Sequence, residues 1–555
     1  MDETKSDKSD SNYDPMALPD PMGFPRSSYG QLYIVSIIGR VCTALKPIEP
    51  AGVGGKPSFT HSEDTADHGD SSGLTREELE FVREYPEGKR KKILRKVDLR
   101  LVPCLTLLYL LAFIDRGNIG NAKIEGLVGD IGLTDSEYRT CLSIFYVPYI
   151  LFEIPSNHYL NKMQRPSIYI ATIVVAWGLV MTFCGLVQNF GGLLIIRILL
   201  GATESGFFPG AILIISKWYL PNETQTRIAV FYTASALAGA FSGMLAAGIA
   251  QMDGVGGLQG WRWIFLLEGI FTVILGLITY FWLIDTPSAS ASWLEPDEIR
   301  YLELRQRADP SRRAASRETS RSDTRKALVA VITDWQIWMH GIIYWSNTVP
   351  NNALKFTMPQ IVRNMGFTAT RAQLLTIPPY CIGALSAFLS SVFADRFSWR
   401  LPFIVGPQLI VIIAYSVLAS KADSNNIAAS YIGVCLACLG LYPINPCGNA
   451  WNLNNLAGPT KRTMGIAFML CIGNIGGIIS GFIFIDEEKP KYPTGFGTSL
   501  GFVAAGIVAC FVLEAVYIWI NKARARMPEE DVFARYTLQE LDAMGDRSPL
   551  YQYTL

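Results

Sequence analysis

The stretch LVPCLTLLYLLAFIDRGNIGN, residues 101–121, determines the fold class that we predict for this chain. It is apolar as far as Ile114 and then continues into aspartate, arginine and asparagine. A helix of about 20 apolar residues, rising 1.5 Å per residue, spans the ~30 Å hydrocarbon core of a bilayer. Because apolar runs of this length recur as far as Ile520, we predict an all-α membrane protein.

Twelve apolar runs form two sets of six, separated by one long polar segment. We predict spans 1 to 6 at residues 100–122, 137–160, 167–187, 191–215, 228–250 and 262–284, and spans 7 to 12 at residues 336–357, 371–393, 401–419, 428–451, 463–485 and 499–521. The predicted domains are a disordered cytoplasmic tail (1–88), an N-terminal six-helix bundle (89–285), a cytoplasmic central loop (286–333), a C-terminal six-helix bundle (334–522) and a cytoplasmic C-terminal tail (523–555).

The composition supports a membrane protein and argues against several other classes. Of the 555 residues 50% are hydrophobic and 17% are charged, whereas charged residues make up about a quarter of a soluble domain. The formal net charge is zero, so we predict no nucleic-acid partner. The sequence has no GxxxxGK(S/T) phosphate loop and no metal-ligand or hydrolase spacing, so we predict neither a cofactor, nor a metal, nor enzyme activity.

The two sets of six spans resemble an internal repeat. Span 5 carries Gly239 and Gly243, four residues apart, and span 11 carries Gly473, Gly477 and Gly481 at the same interval. Small residues at this spacing allow helix backbones to approach closely in a membrane. Matching features in both sets predict two pseudosymmetric bundles, an arrangement typical of secondary transporters.

The distribution of Lys and Arg predicts the orientation. A cluster of Lys and Arg at residues 89–92 precedes span 1. Every second loop between the spans is also rich in Lys and Arg, and Lys522 and Arg524 follow span 12. Cytoplasmic loops of membrane proteins carry an excess of positive charge. Because the N-terminal cluster and the residues after span 12 lie on the same side as the basic loops, both termini are predicted to be cytoplasmic.

Ionisable groups inside a span need a partner or a water-filled cavity, because burying them alone is costly. In the first six spans Asp115, Glu153, Arg197 and Glu204 are such groups, and Asn118 lies beside Asp115. Arg197 and Glu204 share one helix face but are about 10 Å apart along the axis, so each is expected to meet another helix, the substrate or a proton path. The alternative is that these groups only stabilise helix packing, or that Glu153 anchors the loop that follows span 2.

The second six spans contain a polar stripe and two interrupted helices. Asn347, Asn351 and Lys355 are spaced four apart on span 7, where Lys355 either contacts an anion or extends to the membrane surface. Tyr380 follows two prolines in span 8. Asn445, Asn449 and this tyrosine are candidates for substrate contacts, since interrupted helices mark binding sites in transporters; interhelical hydrogen bonding is the alternative.

At these residues the sequence resembles the major facilitator superfamily, and within it the fungal anion:cation symporter branch of the allantoate permease type. The matching motifs are FIDRGNIGN (113–121), FEIPSN (152–157), RILLGATESGFFPG (197–210), GWRW (260–263), QLLTIPPY (373–380) and GNIGG (473–477). The resemblance implies proton-coupled import of a small organic anion such as a ureide, a vitamin or a short carboxylate. It also implies gating roles for Arg165, in the loop after span 2, and for Asp395 and Arg396, in the loop after span 8. The loop after span 2 lacks the aspartate that is usual in the superfamily.

These observations together predict a transporter that works by alternating access. We predict that Arg197, Asn118, Asn347, Asn351, Lys355, Tyr380, Asn445 and Asn449 bind substrate and that Asp115, Glu153 or Glu204 carries the proton. Its partners would be a small anionic substrate, protons and the lipid bilayer, and it would act as a monomer in the plasma membrane. The alternatives are proton-driven efflux of a secondary metabolite and a nutrient sensor that does not transport; a membrane-embedded enzyme is least favoured.

Overall fold

The computed structural model describes residues 74–163, 165–308, 329–397, 399–421, 426–456, 459–537, 540–541 and 544–555. Most of the predicted N-terminal tail and part of the predicted central loop, residues 309–328, lie outside these ranges. Within the described residues all regular secondary structure is helical. The predicted all-α class with twelve spans in two bundles is confirmed.

The first bundle follows the predicted order of spans. Its helices are Glu87–Ile124 (span 1), Asp135–Ile144 and Tyr146–Lys162 (span 2), Pro166–Cys184 (span 3), Phe190–Glu204 and Phe207–Trp218 (span 4), Pro221–Ile249 (span 5) and Gly260–Trp282 (span 6). Span 1 begins well before the predicted boundary, because its amphipathic first turns continue the helix outside the apolar run.

The second bundle repeats this order. Its helices are Trp335–Asn364 (span 7), Ala369–Leu374 and Ile377–Phe397 (span 8), Pro402–Lys421 (span 9), Ile427–Asn455 (span 10), Pro459–Ser480 (span 11) and Pro493–Arg524 (span 12). The helix contacts of the first bundle recur in the second bundle, six spans later. Spans 1 and 5 pack together as spans 7 and 11 do, and spans 3 and 6 pack together as spans 9 and 12 do. This correspondence is the pseudosymmetry that the sequence predicts.

Eight of the described spans are long and apolar enough on their own to cross a membrane. Over the described residues, the helices of spans 2, 5, 7 and 11 are not among these eight. Spans 5 and 8 pack against each other across the two bundles, and so do spans 2 and 11. These two pairs of helices lie in the interface between the bundles.

The predicted small-residue stripes lie in this interface between the bundles. A Cβ atom added to Gly243 of span 5 would lie 2.7 Å from the carbonyl oxygen of Gln373 in span 8. One added to Gly477 of span 11 would lie 2.5 Å from the ring of Tyr146 in span 2. Glycine is therefore required here for close approach of the helices.

Among the described residues, the polar links between the two bundles lie mainly at one end. We call the end that carries the start of span 1 and the C-terminal segment the terminal side, and the opposite end the distal side. At the distal side Lys123 pairs with Asp486 at 2.7 Å, and Gln373 donates to Glu125 at 3.0 Å. Of the described polar contacts between the bundles, the one nearest the terminal side is a 3.5 Å contact from Asn474 to Glu153. The described links therefore close the distal side.

Part of the predicted central loop is a helix, Pro296–Ala308, that packs on the terminal side of the first bundle. Glu298 accepts from Lys96 at 2.7 Å, and Arg305 pairs with Glu223 at 2.5 Å. These ion pairs attach the segment between the bundles to the first bundle.

The C-terminal segment packs into the terminal side of the second bundle. Tyr553 is 5% exposed, and its ring stacks on that of Tyr517 with centroids 4.5 Å apart. Its hydroxyl accepts from the amide of Gln336 at 2.8 Å and donates to the carbonyl oxygen of Asp546 at 3.1 Å. The segment therefore joins spans 7 and 12.

Replacing Tyr553 by alanine is expected to lower the free energy of unfolding by about 3 kcal/mol, the usual cost of truncating a buried aromatic side chain. Thermal unfolding of the purified protein in detergent, followed by tryptophan fluorescence, measures this. Tyr536→Ala is the matched control, because Tyr536 is exposed. Equal midpoints for the two variants would show that the packing of Tyr553 contributes nothing.

Candidate functional site

A pocket lies between the bundles and is lined by residues from spans 1, 5, 7 and 8. Span 1 contributes Phe113 and Asn121, span 5 contributes Ser242, and Lys355 and Tyr380 come from spans 7 and 8. The pocket thus combines two aromatic rings, an amide, a hydroxyl and a cation. Of the residues predicted to bind substrate, Lys355 and Tyr380 are brought together here.

Two cations flank one aromatic ring in this region. The guanidinium carbon of Arg116 lies 5.2 Å from the ring centroid of Phe113, and Nζ of Lys355 lies 5.1 Å from the same centroid. Nζ of Lys355 is also 5.7 Å from the centroid of Tyr442. Among the described residues no carboxylate pairs with Lys355. The contacts described for its ammonium group are with aromatic faces, which attract a cation but leave its charge unpaired.

Arg116 has a carboxylate partner, Glu204 of span 4. Its Nε donates to Oε1 of Glu204 at 2.6 Å, and its guanidinium lies over the ring of Tyr149 at 4.7 Å. The Glu204 side chain is 1% exposed, whereas that of Arg116 is 19% exposed. Oε2 of Glu204 has no hydrogen-bond partner among the described residues. Glu204 was expected to meet another helix, the substrate or a proton path, and in the structure it meets Arg116 of span 1.

Arg197 lies elsewhere in the first bundle. It is 3% exposed, its Nε has no described hydrogen-bond partner, and it lies near Tyr138, Cys141 and Cys184. The structure does not place it among the residues that line the pocket.

Asp115 and Asn118 are completely buried inside the first bundle. Asp115 accepts from the indole of Trp177 at 3.0 Å. The Asn118 amide donates to Glu268 of span 6, and its oxygen accepts from Ser242 at 3.2 Å. These contacts form a polar network across spans 1, 3, 5 and 6.

The predicted asparagines of the second bundle differ in their surroundings. Asn347 is 1% exposed and donates to the carbonyl oxygen of Leu441 in span 10. Asn351, Asn445 and Asn449 are half-buried, and Oδ1 of Asn445 has no described partner. The polar stripe of span 7 therefore divides into a structural asparagine at one end and Lys355 in the pocket at the other.

The remaining predicted residues lie toward the terminal side. Glu153 of span 2 is 8% exposed and contacts Asn474 of span 11, so it lies at the interface between the bundles. Arg165 and Arg396 are exposed, at the ends of spans 2 and 8. The side chain of Asp395 lies outside the described residues.

Sequence reasoning did not select Arg116, Glu268 or Ser242 as site residues. Arg116 follows Asp115 at the polar end of an apolar run, which is also how a membrane-edge residue looks. Glu268 was visible as a carboxyl within an apolar span, and that signal could have identified it.

The sequence profile of the Major Facilitator Superfamily matches residues 105–481. Over 484 residues the chain is 34% identical to the MFS-type transporter cnsO of Penicillium expansum, covering 85% of this chain and 92% of that protein. It is 28% identical over 468 residues to the high-affinity nicotinic acid transporter of Saccharomyces cerevisiae, covering 83% and 84%.

The fold is similar to the crystal structure of a bacterial homologue of the human lysosomal transporter Spinster, in its inward-facing and unoccupied conformation. The TM-score is 0.58 at 17% identity, with 75% of this chain and 95% of that chain covered. The chain therefore belongs to the Major Facilitator Superfamily and is a multi-pass membrane transporter rather than an enzyme.

Proposed function

We propose that this transporter moves a small organic anion together with a proton. The observation that carries the proposal is Lys355, a cation in the pocket between the bundles without a described carboxylate partner. A cation in a largely apolar, low-dielectric site attracts an anion strongly, because little water is present to compensate its charge. A substrate carboxylate would supply the missing negative charge.

The lining of the pocket supports a substrate with an apolar or aromatic body. Phe113 and Tyr442 present ring faces near Lys355. Tyr380 also lines the pocket, and Asn121 and Ser242 offer hydrogen-bonding groups. Sites that combine apolar faces with a few polar groups bind a ligand by apolar contact and orient it through the polar groups. Carboxylate vitamins, ureides and short carboxylates of the allantoate permease branch fit this description.

The Arg116–Glu204 pair supports proton coupling. While Glu204 is ionised, it occupies the guanidinium of Arg116 at 2.6 Å. A proton added to Glu204 would weaken that pair and free Arg116 for the substrate carboxylate. The proton and the anion would then bind together, which is the requirement for symport. Asp115 and Glu153 remain the other candidates for a proton site.

The positive-inside rule supports an orientation with both termini cytoplasmic. The resemblance to the fungal symporter branch favours the plasma membrane. The terminal side would then face the cytoplasm, and the closed distal side would face outward. An inward-facing state of this kind is where an imported substrate is released.

The test is uptake into transport-deficient yeast of labelled nicotinate, pantothenate, biotin, allantoate and simple carboxylates, at acidic and neutral pH. Accumulation of one compound that is faster at acidic pH and abolished by a protonophore is the expected result. Loss of a compound from preloaded cells would favour efflux. Binding without flux in either direction, with the protein at the cell surface, would favour a sensor.

The distal ion pair makes a separate prediction about conformation. Asp486→Asn is expected to shift the population toward states open at the distal side by roughly tenfold, because a charge-assisted hydrogen bond contributes about 1.5–3 kcal/mol. Spin labels on the distal ends of the two bundles report this as longer distances in pulsed electron paramagnetic resonance.

Lys489→Ala is the matched control for this measurement. Lys489 also pairs with Asp486, at 2.9 Å, but both residues belong to the second bundle, so no link between the bundles is lost. Unchanged distances in Asp486→Asn, or equal changes in both variants, would contradict a latch between Lys123 and Asp486.

A further inference from the structure

Two carboxyl groups are buried in the first bundle without a described cationic partner. Asp115 of span 1 is 0% exposed and Glu268 of span 6 is 5% exposed. One oxygen of each, Oδ1 of Asp115 and Oε1 of Glu268, has no hydrogen-bond partner among the described residues. Glu204 differs, since it pairs with Arg116. Burying two uncompensated negative charges in a membrane protein is very costly, so the two groups together require a proton.

The hydrogen-bond donors indicate which of the two carries that proton. Asp115 Oδ2 accepts from the indole of Trp177 at 3.0 Å and from the hydroxyl of Thr272 at 3.4 Å. Glu268 accepts only from the amide of Asn118 among the described residues. Donated hydrogen bonds favour the ionised form, so Glu268, which accepts fewer of them, is the group to which we assign the exchangeable proton.

The surroundings of the pair add few other charges. Glu204 on span 4 is the other carboxyl whose charge acts on Asp115, and its own partner Arg116 follows on span 1. Span 3 contributes Trp177 and span 5 contributes Ser242, which are both neutral. Like-charge repulsion within the pair thus favours retention of one proton.

A hydrogen-bond chain connects Glu268 to the pocket. Its Oε2 accepts from Asn118, whose Oδ1 accepts from the hydroxyl of Ser242 at 3.2 Å. Ser242 in turn accepts from the amide of Asn121 at 2.8 Å, and Ser242 and Asn121 both line the pocket beside Lys355. A change in the charge of Glu268 would therefore alter the hydrogen-bonding groups offered to a substrate.

We propose that Glu268 is a second proton-binding site, separate from Glu204, whose protonation is transmitted to the pocket through Asn118 and Ser242. The step is simple acid–base chemistry: an O–H bond forms at Oε1 when a proton is taken up from water and breaks when it is returned. This inference rests on the proposed proton-coupled transport, but the site is defined by its own geometry.

Infrared difference spectroscopy tests the site without a substrate. The purified full-length protein in liposomes is titrated from acidic to alkaline pH, and the C=O stretch of protonated carboxyl groups is followed in H₂O and D₂O. We expect a carboxylic-acid band at neutral pH that is lost in Glu268→Gln. It is expected to persist in Glu204→Gln, because Glu204 is ion-paired. A neutral-pH spectrum of Glu268→Gln identical to that of wild type would overturn the proposal.

Two further variants keep the proposal open to refutation if Glu268→Gln fails to fold. Asp115→Asn removes the repulsion, so the Glu268 band should disappear at a lower pH than in wild type. Ser242→Ala removes the link to Asn118, so the band should shift in frequency. An unchanged titration in Asp115→Asn would refute the coupled pair, and an unchanged frequency in Ser242→Ala would refute the connection to the pocket. Neither readout depends on whether the substrate is an anion.

Discussion

Replacement of Lys355 by methionine is expected to reduce uptake of the transported anion by at least about tenfold, since a hydrogen bond to a charged group contributes about 1.5–3 kcal/mol. Methionine keeps most of the apolar stem and removes the ammonium group, whose Nζ lies near the rings of Phe113 and Tyr442. The loss should appear chiefly as a higher KM, because the lysine binds the carboxylate in the ground state as well as during translocation.

The stability of this variant should be at least that of wild type, because Lys355 has no described ion-pair partner that would be left without its cation. Lys355→Arg preserves the charge and is expected to retain measurable uptake with altered selectivity, since a guanidinium is planar and larger. Initial rates at several substrate concentrations, normalised to surface protein, separate the two variants. Equal KM values for Lys355→Met and wild type would exclude this lysine as the anion contact.

The spans could be predicted from the sequence because hydropathy and the bilayer thickness together determine their number and order. Their ends could not. Span 1 begins at Glu87 rather than near residue 100, because helical hydrogen bonds continue outside the apolar run. The helix boundary before Ile377 was indicated by Pro378 and Pro379, since proline is tolerated in a first helical turn.

The candidate site was only partly predictable because its chemistry depends on pairs distant in sequence. Helical periodicity placed Asn347 and Lys355 on one face of span 7, but only the fold distinguishes the asparagine that bonds span 10 from the lysine in the pocket. Likewise, the intervals within span 4 excluded a direct pair between Arg197 and Glu204. They could not identify Arg116 as the partner of Glu204, because it lies on span 1.

The small-residue stripes were more informative, because their spacing on spans 5 and 11 already implied close packing. The fold adds that Gly243 and Gly477 face the opposite bundle. A helix interface that must slide during alternating access is better served by smooth glycine surfaces than by interlocking large side chains. The same residues therefore account for both the packing of the bundles and their proposed movement.

The Arg116–Glu204 pair gives the largest expected effect on stability. Arg116→Met should cost about 3–5 kcal/mol of unfolding free energy if Glu204 stays ionised, because a buried carboxylate is left without its cation. Glu204→Gln should cost less, because Arg116 is 19% exposed and can reach water. Thermal unfolding of the purified variants in detergent measures both. Lys91→Met, which breaks an exposed pair with Glu87, should leave the midpoint unchanged.

The double variant Arg116→Met/Glu204→Gln separates structure from transport. It contains no unpaired buried charge, so most of the stability lost in Arg116→Met should return. Transport should be abolished in the double variant, as in Arg116→Met, because both lack the guanidinium that would receive the substrate carboxylate. Glu204→Gln alone should still exchange substrate across the membrane but lose acid-stimulated accumulation, since glutamine mimics the protonated carboxyl at every pH. Restored accumulation in the double variant would mean that the pair only holds spans 1 and 4 together.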